Sequence, residues 1–138
     1  MDDARPAPEA DPTKVTDDLL EALAGTLVRT VSDVVPGSTT ASADLRLRVA
    51  QLREAVRERH PTDAAGPDVG HAERAELAVL GDGFVAAVHG WSIEDPEGGP
   101  VWARQRQQAL EAARALHDGL RVHHAHERAR AGPGAPGL

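Results

Sequence analysis

The chain has no cysteine, no tyrosine and no asparagine, and only one phenylalanine, one isoleucine and two tryptophans among 138 residues. Without cysteine there is no disulfide, no thiolate nucleophile and no Cys-ligated zinc. With so few aromatic side chains, the apolar material is Leu, Val and Ala. Such residues let helices approach closely and suit a bundle better than an aromatic-rich sheet. No apolar run nears the length needed to span a bilayer, and no basic stretch leads into an apolar one as in a signal peptide. These absences predict a soluble, cytoplasmic protein with no membrane partner. Lysine is nearly missing too: Lys14 stands alone against fourteen arginines. That is a bias of GC-rich coding, and no function is assigned to it.

Catalytic signatures are also missing. There is no nucleophile elbow, Walker loop or dinucleotide fingerprint, and Gly81-Asp82-Gly83 is too short to cradle a phosphate. A net charge of −7 weighs against nucleic-acid binding, which rests on neutralising phosphates. The charge alternates along the chain. Residues 1–35 carry eight acids against three bases, 36–60 three against five, 61–100 eight against one, and 101–138 three against six. Successive segments of opposite sign attract, which favours packing each against the next.

What the chain does have is helical periodicity. From Pro100 to Arg128 only Gly119 interrupts a run in which Trp102, Ala109, Ala113, Leu116, Leu120 and His123 recur at steps of seven, four, three, four and three. Those positions share one face of a helix, about 40 Å long at 1.5 Å per residue. An earlier stripe joins Val15, Leu19, Leu20, Leu23, Leu27, Val28, Val31, Val34 and Val35, with a start at Asp11-Pro12 or Thr16 and an end at Val35-Pro36-Gly37. A narrow seam joins Leu45, Val49, Leu52 and Val56, with Thr40 or Ser42 as cap and His60-Pro61 as terminator. Leu77, Leu80, Phe84 and Val88 keep helical phase through Gly81 and Gly83. A hairpin turning at Asp82-Gly83 is the competing pattern. The phase favours a helix kinked near Gly81–Gly83, with Asp68 capping it and Asp82 capping a second half.

The predicted architecture is all-α: an antiparallel four-helix bundle with helices near 12–35, 42–60, 69–89 and 100–127. Residues 12–128 form one domain, and 1–11 and 129–138 are flexible tails.

Two functions compete. The stripe of the first helix is wide, and Leu19/Leu23/Leu27 together with Leu20/Val28/Val35 exceed what three partner helices cover. Surplus apolar area points to a non-catalytic protein that works through protein–protein contact, as a homodimer or an accessory subunit. The loop holding Trp91, Glu94, Asp95 and Trp102 is a second candidate interaction element, unless the two rings simply cover the end of the core. No cofactor is predicted on this reading.

The alternative is a metal- or small-ligand-binding bundle, an enzyme if the site is reactive. His89, His117 and His124 are its candidate ligands, facing one pocket between the third and fourth helices. His123 lies on the apolar stripe, three from His126 and four from Glu127, so these pairs could also share an ion. The Glu-x-x-His pairs of carboxylate-bridged bundle sites are absent. His123-x-x-x-Glu127 is similar to one piece of the hemerythrin pattern, but the other ligands of that pattern have no counterpart, and no family is assigned. The rows Arg114/Arg121/Arg128 and Arg46/Arg53/Arg57 lack interleaved aromatics and read as solvated faces or as partners for acidic helices.

Overall fold

The computed structural model describes residues 15–62 and 70–131. Among them the chain forms four α-helices and no strand: α1 Asp17–Asp33, α2 Thr39–Arg59, α3 His71–His89 and α4 Gly99–Ala131. The Thr16 side chain caps α1 by accepting from the Leu19 N–H at 3.1 Å, with Asp17 and Asp18 at the positive end of the helix dipole. The other possible start, Asp11-Pro12, lies outside the described residues, as does Asp68.

α2 begins earlier than its expected start at 42. Ser38, placed directly after the turn at Gly37 (φ +86°), accepts from the Ala41 N–H at 3.3 Å. Thr40 and Ser42 therefore fall inside the helix rather than capping it. His60 ends α2, as a residue before proline should.

α3 is one helix through both glycines, so the hairpin is excluded and Gly81–Gly83 mark no boundary. Asp82 does not cap a second half; it accepts from Arg53 and Arg57 of α2. Gly81 is buried where α3 meets Arg53, and a Cβ there would make only ordinary contact, 3.7 Å from Arg53 Cγ. α4 continues past the expected end at 127 to Ala131, and the rest of that tail lies outside the described residues.

The helices pack as α1 on α2, α2 on α3, α3 on α4 and α4 on α1. Each pair joins opposite ends, which makes the bundle antiparallel. Arg59 of α2 bonds Asp17 of α1, Arg74 of α3 bonds the Pro61 carbonyl after α2, and His123 and His124 of α4 bond Glu73 of α3 and Glu21 of α1. The alternating segment charges are realised as pairs such as Arg53 and Arg57 with Asp82.

All six stripe positions of α4 and all four seam positions of α2 are buried. In α1 the inward face is Leu20, Ala24, Leu27 and Val31, while Leu19 and Leu23 stay 40% and 39% exposed. Among the described residues no helix is long and apolar enough to cross a membrane.

Candidate metal centre

Helix dipoles favour acids at N-termini and histidines at C-termini. The sequence follows that rule at one end of the bundle. Asp17 and Glu21 open α1 and Glu73 opens α3, while His60 closes α2 and His123, His124 and His126 lie in the last turns of α4. Antiparallel packing brings these ends together, so the imidazoles and carboxylates meet.

Three of those imidazoles are interior. His60, His123 and His124 are 4%, 2% and 0% exposed. Ring centroids lie 4.7 Å apart for His60–His123 and 5.0 Å for His60–His124.

His124 Nδ1 is 2.6 Å from Glu21 Oε2. A carboxylate only accepts, so Nδ1 carries the hydrogen, and a neutral ring then keeps a lone pair on Nε2. That Nε2 lies 2.9 Å from His60 Nε2 and 3.4 Å from Asp17 Oδ1, and His60 Nε2 lies 3.8 Å from the same oxygen. Burial above all, with the like-charge repulsion that His123 and His124 exert when protonated, pushes His60 down to about 4, so it is neutral at pH 7. Burial alone would raise the Asp17 carboxyl, but the hydrogen bond from Arg59 and the neighbouring histidines together hold it below its ordinary value.

A second triad shares His60: its ring, His123 and Glu127 also place one donor atom each within 4.8 Å of one another. His123 Nδ1 donates to Glu73 Oε1 at 2.7 Å. Its Nε2 is 3.1 Å from Glu127 Oε2 but has no hydrogen-bond partner, and it is buried. Glu127 pairs with this nitrogen only when the ring is charged; a neutral ring leaves it to a water or an ion. Glu73 also accepts from His126. The bonds from His123 and then His126 lower its carboxyl to about 2.

Of the predicted ligands, only His124 is in this cluster. His89 is exposed at the far end of α3. Glu73, which touches His123, is sixteen positions earlier, about 24 Å along the helix. His117 faces Gly25 of α1, its ring 3.4 Å from where a Cβ there would stand, and belongs to neither triad. The site therefore spans the ends of α1, α2 and α4, with α3 supplying support, rather than lying between α3 and α4.

His60 reads in the sequence only as a helix terminator. The signal that could have found it is register: helices joined antiparallel bring the ends near residues 17, 60, 73 and 124 to the same end.

No protein-family model, curated protein or solved structure matches this chain.

The tryptophan loop lies at the opposite end. Trp91 and Trp102 are buried with ring centroids 5.2 Å apart, and Trp102 Nε1 donates to the Ile93 carbonyl at 3.3 Å. Both rings lie in the core, which they close at that end. Glu94 accepts from Ser42 and Arg46, which ties the loop to α2, and Asp95 caps its own turn by accepting from the Glu97 N–H.

Proposed function

We propose that the chain is a metal-binding helical bundle that holds a divalent first-row transition ion at Asp17, His60 and His124. One observation carries the reading. The three donor atoms are separated by 2.9, 3.4 and 3.8 Å. Ligands about 2.1 Å from a tetrahedral zinc stand about 3.4 Å from one another. Two imidazoles with one carboxylate suit zinc, iron(II), cobalt or nickel, not calcium or magnesium. Glu21 supports the reading by holding the His124 tautomer, the role that carboxylates play behind metal-bound histidines. Three protein donors leave a further position for water or another ligand.

The test is calorimetric titration of chelator-treated protein with Zn²⁺ and Ni²⁺. A saturable site is expected, weakened at least tenfold in both His124→Ala and Asp17→Asn, each shown to be helical by circular dichroism. No saturable binding, or binding untouched by both substitutions, overturns the proposal.

A second reading rests on α1. Val15, Leu19, Leu23 and Leu27 face Leu52 and Ala55 across a groove of about 480 Å³ between α1 and α2. Exposed leucines in such a groove support self-association through this face. Sedimentation should show a dimer that Leu19→Glu with Leu23→Glu dissolves; a wild-type monomer at 100 μM would rule it out.

A further inference from the structure

An open cavity of about 330 Å³ lies between α3 and α4, large enough for a small molecule, and reaches His123 and Glu73 at one end. Its floor is Leu77, Leu80, Ala115 and Val122. Gly119 sits beneath the two leucines: a Cβ there would come within 2.9 Å of Leu80 Cδ1 and 3.3 Å of Leu77 Cδ2. A glycine inside a long helix costs about 1 kcal/mol against alanine, and this contact is its packing reason.

The lining carries three carboxylates and no Lys or Arg; its one basic side chain, His123, is bonded to Glu73. Glu73 is committed to His123 and His126. Glu76 has no hydrogen bond or ion pair among the described residues. Asp118 meets only Arg121, at 3.8 Å with both side chains more than 60% exposed, a contact of little energetic weight. Two carboxylates thus stand beside an apolar floor with no effective counter-ion. An anion is repelled there, and a neutral hydrocarbon gains only burial. A hydrocarbon bearing a positive charge satisfies both surfaces.

We propose that this cavity binds a small apolar amine. Its hydrocarbon body packs on Leu77, Leu80 and Val122, and its ammonium is drawn to Glu76 and Asp118. The inference does not rest on the proposed ion at Asp17, His60 and His124: none of these lines the cavity, and although His123 of the second triad does, neither Glu76 nor Asp118 belongs to a triad.

The experiment uses benzylamine, benzyl alcohol and benzoate, three probes of one shape and different charge. Each is titrated into the full chain by calorimetry and followed by amide NMR, with a chelator present and again with Zn²⁺. Benzylamine should bind at least fivefold tighter than benzyl alcohol, benzoate should not bind, and shifts should be confined to α3 and α4. The pair Glu76→Gln with Asp118→Asn should remove the preference for the amine while leaving the helical spectrum unchanged. Ala115→Phe, which fills the cavity, should weaken both ligands. Equal affinity for benzylamine and benzyl alcohol overturns the proposal, as does a preference that survives the double substitution. A requirement for Zn²⁺ also overturns it, since the amine would then be a metal ligand. Failure of zinc to bind leaves the amine result standing, so the two readings fall separately.

Discussion

His60 and His124 meet Nε2 to Nε2 at 2.9 Å, 64 positions apart in the chain. When the His124 ring is neutral, Glu21 holds its one hydrogen on Nδ1 and His60 Nε2 donates to His124; when it is charged, His124 Nε2 donates to His60. On the proposed metal reading, an ion at this point needs both Nε2 lone pairs and so displaces whichever hydrogen lies between the rings. The pair is a hydrogen bond in this structure and, on that reading, would become a pair of metal ligands.

Stability should fall with acid before the ordinary carboxylates titrate. His60 takes a proton near 6.5 when unfolded and only near 4 when folded. Between those values the unfolded chain binds more protons, so stability is lost as pH falls through the window, by at most about 3 kcal/mol. Glu73, lowered to about 2, adds a loss in the same direction below pH 4.5. Urea midpoints measured from pH 7.5 to 4 should show the decline, and His60→Phe should flatten it above pH 4.5.

Zinc should stabilise the fold. At a hundredfold excess over Kd the gain is about 2.7 kcal/mol, or roughly 10 °C in melting temperature for a domain of this size. EDTA should reverse the shift, and His124→Ala should abolish it. An unchanged melting temperature at millimolar zinc would contradict the metal reading.

Two glycines should respond in opposite ways. A Cβ on Gly83, in the middle of α3, meets nothing within 4 Å, so Gly83→Ala should stabilise by about 0.5–1 kcal/mol through helix propensity. Gly98 has φ +69°, and a Cβ there would lie 2.9 Å from Pro36 Cγ. Gly98→Ala combines a left-handed backbone with a collision against a rigid ring and should cost about 1–3 kcal/mol. Chemical denaturation of the two variants side by side checks the signs.

Phe84 is the one phenylalanine, buried in α3. Phe84→Ala should cost about 3–5 kcal/mol, a large share of the stability of a small domain. If the variant melts like the parent, the core placement of that face of α3 is wrong.

The helical stripes were legible residue by residue. The steps through Trp102, Ala109, Ala113, Leu116, Leu120 and His123 name side chains that are all buried, and the α2 seam is equally faithful. Periodicity works there because it depends on neighbours three and four positions away, and a narrow stripe has only one way to face the core. The wide α1 stripe was less decisive. Leu19, Leu20 and Leu23 are equivalent by composition, and only the positions of α2 and α4 select Leu20 and Ala24 for the interior.

The candidate site was legible in part. His124 could be picked out, but its partner His60 could not. α2 and α4 are neither consecutive nor among the helix pairs that pack, so no local pattern links them. The tryptophans show the converse. Their type and loop position fitted either recognition or a cover for the end of the core, and both rings are buried.

The sequence by itself determined where helices run, where serine, threonine and proline start or stop them, and which charges sit at which helix end. Those properties follow from interactions within a few residues. Only the tertiary structure decided that two imidazoles and a carboxylate from three helices stand 3–4 Å apart. That spacing depends on the rotation and register of whole helices, which the packing of the entire core sets together.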